Sequence, residues 1–243
     1  MTLKLALEYH GGGFHGWAAQ PGLRTVEQTL SDALETVLGR APNLSVAGRT
    51  DAGVHALGQV VSFSLDGEVE PLRLSRSLNG VLPHDVAVLS ADVAPEGFSA
   101  RHDARSRTYR YSVLARAAPS PFLADRALWW PHSLDEGALH DCAAALAGTH
   151  DFTAFTPVQT EHVRFERDVL SAGWRRTGEV LEFRIEADTF MRHMVRVLVG
   201  TMLEAGGGRR SVEEFELLLQ GAPRDSAGPT AAAHGLCLES VSY

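Results

Sequence analysis

A chain of 243 residues, 44% hydrophobic and 21% charged, has the makeup of an ordinary folded protein with room for one large domain or two small ones. No apolar run reaches the roughly 18 residues of a membrane span. The first ten residues alternate apolar and polar and lack the basic start and apolar block of a secretion signal, so the expected location is cytoplasmic. Two distant cysteines, Cys142 and Cys237, argue against a disulfide framework or a cysteine zinc site. A net charge of −8 counts against a nucleic-acid partner, but distribution matters more than the total. From Arg101 to Trp130, six arginines (Arg101, Arg105, Arg107, Arg110, Arg116, Arg126) stand against two aspartates. Arginine suits bidentate phosphate contacts and stacking; on charge alone a solvated basic strand face is the plainer reading.

In chain order, Leu3, Leu5, Leu7 and Tyr9 alternate, which predicts a strand over 2–9, broken by Gly11-Gly12-Gly13. Thr25 and Gln28 fit a capping box. Val26, Leu30, Ala33, Leu34 and Val37 give the stripe of a helix running to about Leu38 and stopped at Gly39. Short strands are expected over 44–48 and 59–65, a helix over 72–78, a turn at Asn79-Gly80 and a strand over 85–93. The second half repeats the logic. It predicts a strand over 108–114, a helix over 134–146, and strands over 163–175 and 180–187 turning at Gly178. An apolar helix over 189–205 ends at Gly206-Gly207-Gly208, and a helix over 213–219 and a strand over 235–243 follow. With a linker near 95–105, the expected class is α+β. Two related lobes, 1–103 and 104–243, would carry mostly antiparallel sheets flanked by helices, with an active-site cleft between them.

Three segments can carry chemistry. Gly48-Arg49-Thr50-Asp51-Ala52-Gly53-Val54-His55 is a loop between two strands, and small residues after Asp51 let a ligand approach closely. A tight turn in which Asp51 bonds its own backbone is the plainer reading. In Phe190-Met191-Arg192-His193-Met194-Val195-Arg196, the spacing of Arg192 and Arg196 puts both on one helix face, where they repel unless an anion joins them. A buried Arg196 needs an acid partner, and Asp51 or any other carboxylate fits. In Arg105-Ser106-Arg107-Thr108-Tyr109-Arg110-Tyr111, strand alternation sets Arg107, Tyr109 and Tyr111 on one face and Arg110 on the other. Tyrosine beside arginine can stack a base and grip its backbone, or the tyrosines can pack in the core, the better reading for Tyr111. The eleven histidines form no metal signature, and no GxSxG elbow occurs.

At these segments the chain resembles the TruA family of tRNA pseudouridine synthases over nearly its whole length. The resemblance rests on Glu8-Tyr9-His10-Gly11, Phe14-His15-Gly16-Trp17, Gly48 to Ala56, Arg107 to Tyr111, Asp151-Phe152-Thr153-Ala154-Phe155, Phe190 to Gly200 and Gly235-Leu236-Cys237-Leu238. It implies isomerisation of uridine to pseudouridine at positions 38, 39 and 40 of the tRNA anticodon arm. Asp51 would be the nucleophile, Arg196 its ion-pair partner, Arg49 an aid to base extrusion and Tyr109 the residue stacked on the uracil. Arg24, Arg107, Arg110 and Arg192 are further expected substrate contacts. The resemblance also implies a homodimer, with no metal or organic cofactor. One departure is Ala18, where the family usually has glutamine after Gly-Trp. Two other readings stay open: a non-catalytic structured-RNA-binding protein with a structural Asp51, and a small-molecule hydrolase, which lacks the second positioned acid or base it needs.

Overall fold

The fold is that of a computed structural model describing residues 1–160 and 162–243. In chain order the elements are β1 (Thr2–Tyr9), α1 (Val26–Leu38), β2 (Ser45–Val46), β3 (His55–Ser64), α2 (Pro71–Val81), β4 (Val86–Ala94) and β5 (Ser106–Ala115). Then come β6 (Leu128–Trp130), α3 (Glu136–Ala144), β7 (Gly148–Asp151), β8 (Glu166–Thr177), β9 (Val180–Ala187), α4 (Met194–Gly206), α5 (Val212–Leu218) and β10 (Leu236–Ser242). The chain divides into two compact units, Met1–Arg105 with Cys237–Tyr243, and Ser106–Leu236. Most of the final strand belongs to the first unit. The class is α+β with mostly antiparallel strands, as the interleaved patterns predict.

In the first unit β1 lies between β3 and β4 and runs antiparallel to both. Alternation turns Leu3, Leu5 and Leu7 fully inward, each stabilising the fold by about 1.5–3 kcal/mol. β2 pairs antiparallel with β3, and β10 runs parallel to β3 at Cys237 and Leu238. α1 starts at Thr25, whose Oγ1 accepts the Gln28 N–H at 3.4 Å, but the Gln28 amide turns to Asp32, so half of the expected capping box forms. Gly39 closes the helix at φ 73°. α2 outruns its expected end. Asn79 and Gly80 form its last turn, because the Asn79 amide donates to Val88 O at 2.9 Å and accepts Val88 N–H at 2.8 Å. That tertiary bond outweighs the local turn preference.

In the second unit the strand order is β5-β9-β8-β7, antiparallel throughout, with β6 parallel to β5. Leu181, Phe183, Ile185 and Ala187 of β9 are buried and alternate with Glu182, Arg184 and Glu186. α4 supplies Leu198, Met202 and Leu203 to the core, and the Trp174 indole donates to the Met202 sulfur at 3.4 Å. β6 and β7, with three and four residues, are too short for alternation to reveal. The helix expected from 189 begins only at Met194. A turn precedes it, closed by Met194 N–H to Met191 O at 3.2 Å and held by Thr156 Oγ1 donating to Arg192 O. His193 takes φ 64° there, the only positive φ outside glycine among the described residues. None of their helices is long and apolar enough to cross a membrane.

Candidate active site

Asp51 sits half-buried in the segment between β2 and β3, and backbone bonds fix the chain on both sides of it. Before it, Gly48 O accepts from Gln59 Nε2 at 2.7 Å, Thr50 Oγ1 meets Tyr9 Oη at 2.8 Å, and Thr50 O accepts from Trp17 N at 3.0 Å. After it, Val54 N donates back to Asp51 O at 3.1 Å and Gly53 N donates to Phe14 O at 3.2 Å. The glycine-rich loop after β1 packs directly on this backbone. A Cβ on Gly11 would lie 2.0 Å from Val54 O, and one on Gly16, at φ 92°, would lie 2.9 Å from Thr50 O. Gly11 N donates to His55 Nδ1 at 3.0 Å. His10 sets its ring 4.5 Å from that of His55. The distant glycine motif is thus the mould in which the aspartate loop is cast.

Arg49 is exposed on the same loop. Arg24 lies close by, its guanidinium 4.0 Å above the Phe14 ring, and both of its Nη atoms donate to Asp85 at 2.8 Å. The Arg24 fork therefore holds the Asp85 pKa below its ordinary carboxylate value.

In the second unit, Tyr109 is buried and meets Phe190 edge to face with centroids 5.1 Å apart. Arg107, on the same face of β5, is buried and donates to Asp188 O at 2.8 Å. Arg110 points to the opposite face and bridges to Glu182 of β9. Tyr111 is fully buried, its hydroxyl donating to Ala232 O at 2.8 Å, and burial pushes its pKa up. Arg196 lies in the first turn of α4, half-buried, with Nε donating to Ala231 O at 2.8 Å. Arg192 is exposed in the turn before the helix. The shared helix face expected for Arg192 and Arg196 is therefore corrected: the helix begins too late to contain both. No group of three or more His, Cys, Asp or Glu among the described residues is arranged to hold a metal ion.

Sequence reasoning gave no role to Tyr9, Gln59, Asp85 or Phe190. Gln59 carried a signal, a lone amide before the apolar Val60-Val61 run. Asp85 gave none, since its partner lies 61 residues away.

A family model described as tRNA pseudouridine synthase matches residues 5–103 and 142–243. That match takes in Arg49, Asp51 and Arg196 and leaves out the stretch holding Arg107, Tyr109 and Arg110. Relatives align through that stretch as well. The tRNA pseudouridine synthase A of Bacillus subtilis is 39% identical, covering 100% of this chain and 99% of its own. The protein of that name from Moorella thermoacetica is 41% identical over 99% of each chain. Its counterpart in Burkholderia lata is 40% identical over 100% of this chain and 90% of its own. With the glycine mould, the aspartate loop and the arginine-bearing helix all inside the aligned length, the chain belongs to the tRNA pseudouridine synthase family.

Proposed function

We propose that the chain isomerises uridines 38, 39 and 40 of the tRNA anticodon arm to pseudouridine, with Asp51 as nucleophile. The reaction breaks the C1′–N1 bond and makes a C1′–C5 bond; C5 gives up a proton and N1 ends with one. Atoms and electrons balance within the nucleotide, so the chemistry calls for no redox cofactor. A carboxylate can serve by attack at C1′, by attack at C6, or by removing the 2′ proton. Each route needs it held steady while the detached base turns over. The observation that carries the reading is the Asp51 loop itself, half-open to solvent yet bonded at Gly48, Thr50, Asp51 and Gly53. A simple surface turn needs no such mould.

Arg196, its Nε anchored on Ala231, is the proposed ion-pair partner. Arg49, exposed beside Asp51, is proposed to help extrude the base, a step costing a few kcal/mol. Tyr109, in T-shaped contact with Phe190, would offset about 1–3 kcal/mol of that by stacking on the uracil. Arg192, exposed, is the better placed of the remaining cations for phosphate. Arg24, Arg107 and Arg110 would first have to leave Asp85, Asp188 and Glu182. On the family resemblance the enzyme works in the cytoplasm as a homodimer, for which light scattering at twice the mass of one chain is the check.

Tritium release from tRNA labelled at uracil C5 tests the reading, since that hydrogen must leave. Wild type should release it and Asp51→Ala should not, while both bind tRNA. Binding by both with release by neither would favour a non-catalytic RNA-binding protein.

A further inference from the structure

Gln59 is fully buried, and a buried amide costs several kcal/mol unless its groups are bonded. Here they are. Val60 N donates to Oε1 at 3.1 Å, which fixes the amide's orientation and turns Nε2 the other way. Nε2 donates to Gly48 O at 2.7 Å and to Tyr9 Oη at 3.2 Å. The Tyr9 hydroxyl, which keeps its own hydrogen, is also hydrogen-bonded to Thr50 Oγ1, 2.8 Å away. Burial pushes the Tyr9 pKa up to about 12, so this hydrogen stays in place at working pH. Thr50 is also held through its carbonyl by Trp17 N, and the Trp17 ring lies 6.2 Å from that of Tyr9. The next residue is Asp51.

We infer that Tyr9 is a positioning residue: its hydroxyl, oriented by Gln59, fixes Thr50 and thereby the direction in which Asp51 is presented to the substrate. The inference rests on Asp51 being the nucleophile. The Tyr9 hydroxyl is committed to Gln59 and Thr50, so it acts through the loop rather than on RNA. A nucleophile displaced by a fraction of an ångström loses rate while the remote contacts that bind tRNA persist.

Tyr9→Phe removes one oxygen and keeps the ring. Its kcat should fall about tenfold or more, with KM for tRNA unchanged. Thr50→Val, which removes the other end of the same bond, should fall alike, and the double variant should be no slower than either single one. Thr50→Ser, which keeps the hydroxyl, should restore near wild-type kcat, and it answers the question even if Tyr9→Phe folds poorly. An unchanged kcat in Tyr9→Phe with only a lowered thermal midpoint would overturn the inference. So would a raised KM without loss of kcat, or losses that multiply in the double variant. If Asp51→Ala turns over like wild type, the nucleophile assignment fails first and takes this inference with it; an active wild type, an inactive Asp51→Ala and an unimpaired Tyr9→Phe sink the positioning role alone.

Discussion

At the scale of single residues, the cation most exposed to misreading is Arg24. As a sequence letter near a glycine-rich loop it is a natural phosphate ligand. In the fold it stacks on Phe14 and grips Asp85 with both arms of its fork. Phe14 O in turn accepts from Gly53, two residues past Asp51, so the pair braces the mould from outside. Asp85 has a folded pKa below its unfolded value, chiefly through the hydrogen bonds from Arg24. Its contribution to stability is therefore present above the ordinary carboxylate pKa of about 3.9 and is lost as pH falls through the lower folded value. The Arg24 side chain is 43% exposed, so screening keeps the contribution to about 1 kcal/mol or less. Denaturant unfolding at pH 7 should find Asp85→Asn less stable than wild type by about that amount, and the gap should shrink as pH drops below about 4. A gap that stays constant down to pH 2 would show that Asp85 acts by shape and not by charge.

At the scale of elements, the helix bearing Arg196 is held by a strap, not by its own cap. Gly200 is so close to residue 229 that a Cβ there would lie 1.8 Å from Pro229 O. Beyond Pro229, Ala231 O accepts Arg196 Nε, Ala231 N donates to Arg196 O at 3.0 Å, and Ala232 O accepts the Tyr111 hydroxyl. Gly200→Ala must push the strap away, and overpacking of this kind costs about 1–3 kcal/mol. Thermal unfolding should detect that loss. Tritium release, measured well below the transition, should fall further than the small unfolded fraction explains, because the Arg196 anchor moves with the strap. Activity that tracks only the folded fraction would separate the strap from the site. None of this was legible in the sequence, since strap and helix lie some 30 residues apart and nothing local marks their contact. What was legible is instructive by contrast. β1, α1 and β9 are half-buried elements whose alternation or stripe is forced by one wet face. The start of α4 was hidden because the run from Thr189 is apolar on nearly every side and carries no phase. The Asp51 loop announced itself through its motif. Tyr9 and Gln59 did not announce their part in it, as their partners stand 41 and 11 residues away.

At the scale of the whole molecule, an acidic chain must grip a polyanion. The sequence offers a local excess of four positive charges between Arg101 and Trp130, but the fold engages several of them. Arg110 bridges to Glu182 and Arg116 to Glu179, while Arg107 is buried against a backbone carbonyl. Arginines that remain exposed include Arg49, Arg101, Arg105 and Arg192. Each phosphate neutralised by such a side chain contributes about −0.7 to −0.9 to the slope of log affinity against log salt. A handful of contacts therefore predicts a shallow slope, about −2 to −4 per active site, well short of what six arginines and Arg24 acting together would give. Titration of tRNA binding across salt concentrations measures it directly. Arg49→Ala should flatten the slope by about one unit if that side chain meets a phosphate, and Arg110→Ala should leave it nearly unchanged, since Glu182 already neutralises that charge. A steep slope that Arg110→Ala flattens would mean that the bridge to Glu182 opens on binding and that the sheet face bearing it belongs to the RNA surface.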